Sequence, residues 1–356
     1  MDWNLLLLSL LKIVGVFAVL MFIVAYAVWV ERKVSAAIQD RIGPNRVGPF
    51  GLLQPMADGI KSFLKEDFTP AHVRKAYFWL APAIVMIPSL LVVAVIPFGS
   101  KIGAQKMVIA DLNVGILYTF GIVSLGVYGI VLAGYAANSK YPFLGGIRSS
   151  AQMISYEIAM GMSVIPLFMM VGDLNLSQVI AHQTGTLTLM PNFLKEWLPF
   201  IPNWLVFKQP LAFVIFLVAA FAETNRLPFD MPESEQELVG GYNTEYSSMK
   251  FALFFMGEYA NMVASSGMMV TLFLGGWTLP CFGLDQPATT LLGGIVHIGI
   301  FLGKLLFFMV LFIWVRWMLP RFRYDQLMDL GWRRFIPLAL ANILATAVIL
   351  WWQTKS

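Results

Sequence analysis

Three glutamates stand in stretches of sequence that are otherwise almost wholly apolar. Glu157 lies within residues 153–171, Glu223 within 211–227 and Glu258 within 251–279. A charged side chain at the centre of a bilayer costs about 2.5–3.5 kcal/mol, and removal from water favours the neutral form of a carboxyl group. A carboxyl group whose proton occupancy responds to nearby charge is suited to proton relay. The three glutamates therefore predict a shared polar path, and the alternative is that each reaches headgroups or water near the end of its stretch.

An acidic segment follows the second of these glutamates. From Ala222 to Tyr246 it reads AETNRLPFDMPESEQELVGGYNTEY. Glu223 and Arg226 are three residues apart, a spacing at which they would face each other on one helical turn. Pro228 disfavours helix at the residue before it, so the chain should leave the apolar stretch there. Five further carboxylates follow, namely Asp230, Glu233, Glu235, Glu237 and Glu245. Beside a Glu–Arg pair they predict a coupling element, and a merely solvated acidic loop is the alternative.

A basic segment follows the first apolar stretch. From Glu31 to Asp67 it reads ERKVSAAIQDRIGPNRVGPFGLLQPMADGIKSFLKED. Its two Gly-Pro pairs indicate tight, non-helical turns. Its ionisable side chains include Arg32, Arg41, Arg46 and Asp58. Arginines can bind the polar end of an amphipathic ligand or an acidic partner surface, although the same residues also suit the ordinary positive charge of a cytoplasmic loop.

Metal-ligating residues are scarce. The one cysteine is Cys281, and the three histidines, His72, His182 and His297, lie far apart. An iron–sulfur cluster or a structural zinc site needs about four clustered ligands, so neither is predicted. A haem needs only one or two axial ligands, and counting alone leaves His297 open to that role. We expect no metal or redox centre in this chain.

Two further polar residues share one apolar stretch. His297 and Lys304 are seven residues apart and would lie on one face of a helix. They are either polar links in the interior path or groups capped by neighbouring carbonyls.

The elements that must position these residues are membrane-spanning helices. The chain has 356 residues, of which 58% are hydrophobic and 12% charged, about half the charged share of a soluble domain. A bilayer core requires about 20 apolar residues in a helix. Eight stretches reach or approach that length, and we predict an all-α, polytopic protein forming one integral-membrane domain over residues 1–356. The predicted spans are residues 5–30, 78–98, 114–137, 153–171, 211–227, 251–279, 293–315 and 335–352.

The basic residues predict the orientation of these spans. Of the 24 lysines and arginines, 17 lie in loops after odd-numbered spans, and two lie within spans. The positive-inside rule then puts those loops in the cytoplasm and both termini on the outer side. The net charge of +4 gives no reason to expect nucleic acid as a partner.

One loop contains an amphipathic pattern. In residues 51–66, Leu53, Met56, Ile60 and Phe63 recur at helical spacing, with charged residues between them. The pattern predicts a helix that lies on the membrane surface or against a partner.

Several of these segments together resemble a known family. They are ERK at 31–33, GPNRVGPFGLLQPMADGIK at 43–61, SAQMISYEI at 150–158, AETNRLPFDMPESEQELVGGYNTEY at 222–246, FALFFMGEYANM at 251–262 and PRFRYDQLM at 320–328. In this order they are similar to the signature segments of the quinone-site membrane subunit of respiratory complex I, which is the H-type subunit of NADH–quinone oxidoreductase. The outer loops at 99–113 and 172–209 match little beyond hydropathy.

The resemblance implies roles for particular residues. Arg32, Arg41, Asp58 and Phe229 match positions near the tunnel through which quinone enters. A second set matches the family's intramembrane glutamates and the acidic loop that couples quinone reduction to proton movement: Glu157, Glu223, Arg226, Asp230, Glu233, Glu235, Glu237 and Glu258. No catalytic residue is expected in this chain alone.

The resemblance also implies an assembly. The chain would lie in the bacterial inner membrane and contact the peripheral-arm quinone-site subunits and the adjacent small membrane subunits. Quinone would be the substrate, while NADH, FMN and the iron–sulfur clusters would bind to partner subunits. Two alternatives remain: a related anchor subunit of an energy-converting hydrogenase or of a deazaflavin (F420-type) dehydrogenase, and a free-standing proton-coupled transporter.

Overall fold

The computed structural model describes residues 3–102, 105–186, 202–232, 239–280 and 283–355. The chain is a bundle of helices, as predicted. In the described ranges, six helices are long and apolar enough to cross a membrane. They are α1 (Trp3–Ile38), α3 (Lys75–Val93), α4 (Gly115–Ala136), α5 (Lys140–Val171), α10 (Leu291–Met318) and the rod formed by α11 (Tyr324–Asp329), a π-helical turn (Leu330–Phe335) and α12 (Ile336–Lys355).

Two of the eight predicted spans correspond to helices of another kind. Helix α8 (Pro210–Glu223) is apolar but has 14 residues, which is about 21 Å of a hydrocarbon core near 30 Å. Helix α9 (Ser248–Phe273) has 26 residues but is less apolar, since it carries Lys250, Glu258, Asn261 and three serines. The count of eight spans therefore stays a prediction, while the polytopic, all-α architecture is confirmed.

The amphipathic loop helix is confirmed as α2 (Gln54–Leu64). Its apolar side chains Met56, Ile60 and Phe63 are all more than half exposed within this chain. An exposed apolar face of this kind is typical of a helix that contacts lipid or a partner protein.

Short elements connect the bundle on the side opposite α2. A two-stranded hairpin pairs β1 (Lys101–Ile102) with β2 (Gln105–Lys106), and α6 (Leu176–His182) and α7 (Leu205–Lys208) lie in the next long loop. Asp111 joins the hairpin to α6. Burial raises the pKa of Asp111, but hydrogen bonds from Lys106, Asn175 and Ser177 outweigh it and hold that pKa below its usual value.

The core lies where α5, α8, α9 and α10 pack together. It is rich in Phe, Ala and Met, including the fully buried Phe216, Phe273 and Phe308. Helix α5 also approaches α4 closely, because a Cβ atom on Gly134 would lie only 2.6 Å from the carbonyl oxygen of Pro142. These close contacts bring the glutamates of α5, α8 and α9 into one region of the bundle.

Candidate functional site

A groove lies between α1, α2 and α9, with a volume of about 480 Å³. That volume is within the usual range for small-molecule sites. The walls are apolar and are formed by side chains that include Val24, Val28, Phe251, Phe255 and Met256. The polar residues on its lining include Arg32, Asp58 and Tyr259. A long apolar molecule with a polar head fits such a groove.

Asp58 organises the charged end of the groove. It accepts a hydrogen bond from Arg32 Nη1 at 2.7 Å and one from Gln54 Nε2 at 3.0 Å, and Lys61 Nζ is 3.4 Å away. The Arg32 side chain is 47% exposed, so the pair is partly solvated and contributes little to stability. Its donors remain accessible to a polar headgroup.

Glu31 is the centre of a buried ionic cluster behind the groove. Its carboxylate accepts hydrogen bonds from Tyr259 Oη at 2.7 Å and Arg226 Nη1 at 3.2 Å, and it forms an ion pair with Arg316. Glu31 is only 7% exposed. Tyr259 also lines the groove, so one hydroxyl group separates the groove from this cluster.

Arg226 connects this cluster to the next glutamate. Its Nε lies 3.4 Å from Glu258 Oε1, and its guanidinium stacks over the Tyr259 ring at 4.2 Å. The sequence predicts that Arg226 faces Glu223 on one helical turn. In the structure, Arg226 instead forms ion pairs with Glu31 and Glu258. The reason is that α8 ends at Glu223 and the chain turns at Thr224, earlier than the predicted exit at Leu227.

A narrow cavity links Glu258 to Glu223. Both glutamates line it, together with Asn225 and Asn261, and its volume of about 40 Å³ is room for about three water molecules. A smaller cavity continues from Glu223 and Asn261 toward Ser265 and Thr119. The polar lining and the volume suit a short chain of waters.

Glu157 ends the series. Its carboxylate accepts a hydrogen bond from Ser124 of α4, and it lies close enough to Glu223 for the two charges to interact. The three glutamates predicted from sequence thus lie in one connected polar region rather than separately in lipid.

Gln152 fixes the turn that carries Glu223 and Arg226. Its side chain is fully buried, and its Nε2 donates to the carbonyl oxygens of Ala222 and Phe229, each at 2.7 Å. These two carbonyls flank the turn on either side. Gln152 on α5 therefore holds both ends of the segment at a fixed separation.

Replacing Gln152 with Leu should destabilise the purified complex by about 1–3 kcal/mol for each carbonyl left without a partner. Thermal unfolding followed by light scattering measures this. Leu fills a similar volume, so packing loss is small. Ser150→Ala on the same helix is the control, because Ser150 is half-buried and donates its hydrogen bond to Ile147 of its own helix. An unchanged melting temperature for Gln152→Leu would show that Gln152 does not hold this turn in place.

The remaining acidic residues divide into two groups. Asp230 accepts a hydrogen bond from Arg321 Nη2 at 3.0 Å, and Glu245 lies 3.7 Å from His72. Glu233, Glu235 and Glu237 lie outside the described residues. The predicted acidic loop is therefore attached to the bundle at Asp230 and Glu245.

Two predicted quinone-tunnel residues lie apart from the groove. Arg41 is exposed just beyond the end of α1. Phe229 is buried between Tyr156 and Phe322, whose ring centroids are 5.5 and 5.4 Å away. Within this chain, Arg32 and Asp58 are the predicted pair that lines the groove.

The possible metal ligands are dispersed, and the two polar residues of α10 have other partners. In the part of the chain that the structure describes, no group of three or more His, Cys, Asp or Glu residues could hold a metal ion. His297 is buried, with Nδ1 2.7 Å from Ser100 Oγ. Lys304 Nζ donates to the carbonyls of Leu274, Gly276 and Thr278 at 2.7–2.9 Å. The capping role, one of two considered for Lys304, is the one observed.

Sequence reasoning missed three members of the ionic cluster: Glu31, Tyr259 and Arg316. Each lies inside or at the end of an apolar helix, and a polar side chain in that position could have indicated a buried functional group. Their partners are distant in sequence, since Glu31 and Arg226 are 195 positions apart. Spacing alone could not have joined them.

Comparison with known proteins decides the family. The family model described as NADH dehydrogenase matches residues 11–347, nearly the whole chain. The chain belongs to this NADH dehydrogenase family. The groove, the Glu31 cluster and the three glutamates all fall inside the matched range, so they are features of a family member and not of an added segment.

Curated relatives in the family agree with that assignment, and each is named as a subunit of NADH-quinone oxidoreductase. The first H-type subunit of Cytophaga hutchinsonii is 49% identical over 94% of this chain and 94% of the relative. Its counterpart in Geobacter metallireducens is 49% identical over 96% of both chains, and the H-type subunit of Thermomicrobium roseum is 46% identical over 99% and 98%. The similarity therefore spans nearly the full length of these relatives.

Proposed function

We propose that this chain is the membrane subunit of a proton-translocating NADH:quinone oxidoreductase, in which it forms the membrane part of the quinone chamber and couples quinone reduction to proton translocation. One observation carries the proposal. An unbroken series of contacts runs from Tyr259 in the groove through Glu31, Arg226 and Glu258 to the cavity at Glu223. A molecule in the groove and a proton-binding group inside the bundle are thereby connected.

The groove suits a quinone, because its apolar walls match an isoprenoid tail and the Arg32–Asp58 end offers donors to a polar head. The headgroup would then react at the interface with a partner protein that supplies the electrons. A quinone that gains two electrons takes up two protons to become a quinol. Removal of those protons from the surroundings leaves negative charge behind, and the ionic cluster and the glutamates would respond to it.

The role of the cluster follows from its burial. Arg226 is balanced by Glu31 and Glu258 in a region of low dielectric constant, where interactions between charges are strong. A change in charge at the groove alters the balance between these groups, and the small cavity gives a proton a route through water between Glu258 and Glu223. Moving one charge across the membrane potential costs about 2.3 kcal/mol per 100 mV, so the signal must reach subunits that pump.

The finer assignments belong to the same proposal. NADH, FMN and the iron–sulfur clusters would bind to partner subunits, and the cytoplasmic loops, including Asp230 and the exposed face of α2, would contact the peripheral arm and small membrane subunits. The chain would lie in the inner membrane with both termini on the periplasmic side. The similar proteins carry names of NADH-quinone oxidoreductase subunits, and no observation favours the hydrogenase-anchor or free-standing transporter alternatives.

Filling the groove tests this proposal. Gly59 on α2 lines it, and a Cβ atom there meets nothing within 4 Å. Gly59→Trp should raise the KM for a long-chain quinone by about tenfold or more, because even one mismatched methylene in an apolar site costs about 1–3 kcal/mol. Steady-state oxidation of NADH with that quinone measures the effect.

The matched control is Gly121→Trp on α4, where an added Cβ atom also meets nothing within 4 Å. NADH oxidation with ferricyanide, which bypasses the quinone, should stay unchanged in both variants. An assembled Gly59→Trp complex with an unchanged KM would refute the groove as the quinone site.

A further inference from the structure

A second cavity lies on the opposite flank of α1 from the groove. It has a volume of about 310 Å³ and is bounded by α1, α3, α9 and α10. Its walls are aliphatic and aromatic, with Val16, Leu20, Ile96, Phe301 and Leu305 among them. The ionic cluster at Glu31 is at the other end of α1, so this cavity is separate from the candidate site.

Lys12 is the charged residue on the described lining of this cavity. Its ammonium donates to the carbonyl oxygen of Lys106 at 2.9 Å and to Gln105 Oε1 at 3.3 Å. Both acceptors are uncharged, and an ammonium has three donors, so one N–H remains for another acceptor. A cation inside an apolar span is costly unless it is paired or functional.

The β-hairpin adds further positive charge beside Lys12. Lys101 stands directly opposite Lys106 in the ladder. Lys106 is paired with Asp111 at 2.6 Å, whereas no ion pair to Lys12 or Lys101 is found among the described residues. Lys101 and Lys106 line a neighbouring cavity, so the positive charge on the lining of this one is that of Lys12, while the interior is apolar.

The cavity opens sideways toward the lipid. Gly15 is exposed at its rim, where an added Cβ atom would meet nothing within 4 Å, and Val19 is nearly half exposed. A single alkyl chain is thin enough to enter this opening and to contact its apolar walls.

We propose that this cavity binds an anionic phospholipid, with one acyl chain between α1 and α10 and the phosphate beside Lys12. The apolar walls would hold the acyl chain, and the positive charge at the mouth would select an anionic lipid over a neutral one. Electrostatic attraction to anionic lipid is worth about a fivefold gain in affinity per lysine near the surface.

Native mass spectrometry of the purified complex, in nanodiscs of phosphatidylcholine with phosphatidylglycerol, tests the proposal. Gly15→Trp, which fills the cavity mouth, should lose one tightly held phosphatidylglycerol relative to the wild type. Lys12→Gln should weaken its retention by about fivefold in competition with phosphatidylcholine. Gly121→Trp should retain the lipid. Equal phosphatidylglycerol retention in all variants would overturn the proposal.

A second measurement uses the unmodified protein, in case a variant fails to assemble. Phosphatidylglycerol with a photoreactive group in its acyl chain should crosslink to peptides containing Val16 or Phe301. The same probe with a phosphatidylcholine headgroup should label them about fivefold less. Equal labelling by both probes, displacement of the label by added quinone, or no labelling would overturn an anionic-lipid site.

Discussion

Replacing Arg226 with Met should abolish quinone reduction and destabilise the complex by about 3–5 kcal/mol, the usual cost of removing one partner from a buried ion pair. Arg226 is 5% exposed in its side chain and pairs with Glu31 and Glu258. Met fills much of the same space but leaves Glu258 without this positive neighbour. NADH oxidation with quinone and with ferricyanide, together with the melting temperature, measures the effect.

Two controls make the result specific. Arg323→Met removes an ion pair whose members, Arg323 and Asp325, are 79% and 66% exposed, and it should change stability by less than about 1 kcal/mol. Arg226→Lys keeps the charge but lacks the planar fork that reaches two carboxylates, so intermediate activity is expected. Wild-type quinone reduction in Arg226→Met would refute the role of the cluster.

Replacing Glu223 with Gln should reduce quinone reduction and proton pumping together, by about 100-fold, the low end for loss of a proton-transfer group. Glu223 lines both interior cavities and is the ionisable residue that they share. Gln keeps its shape and hydrogen-bonding capacity but cannot take up a proton. Quinone reductase rate and acidification of the lumen of inverted vesicles give the two readouts.

The control for this variant is Asp325→Asn, which neutralises an exposed carboxylate and should leave both readouts unchanged. Gln is nearly isosteric with Glu, so the melting temperature should also stay close to that of the wild type. Full pumping by Glu223→Gln would contradict proton transfer at this residue. Loss of pumping with a full reduction rate would show that the two processes are not coupled here.

The apolar helices could be predicted well because composition reports directly on the surrounding lipid. The predicted span 114–137 corresponds to Gly115–Ala136, for example. The start of helix α5 was harder to predict. The helix begins at Lys140, well before the predicted start at residue 153. Its first turns contain Gly145, Gly146 and Arg148, which break the apolar pattern. Glycine disfavours helix, but neighbouring backbone packs so close to these two positions that a side chain would be obstructed there.

The sequence predicted which residues belong to the candidate site better than it predicted which of them contact each other. Glu157, Glu223 and Glu258 were visible as charges in apolar sequence, and in the structure they lie in neighbouring parts of the bundle. The choice of Glu31 as a partner of Arg226 depends on how α1 packs against the turn after α8, which no local pattern specifies. The place where a helix ends decides which way an arginine points, and that end differed from the predicted one by a few residues.

The carbonyl contacts of Lys304 have a mechanical consequence for α9. They attach the residues that directly follow α9, namely Leu274, Gly276 and Thr278, to α10. A helix tethered at one end can swing only about that end. Glu258 lies about 22 Å from Phe273 along α9, and Ser248 about 37 Å. A tilt of α9 about the end held by Lys304 would therefore move Glu258, Tyr259 and the groove wall much farther than it moves that end.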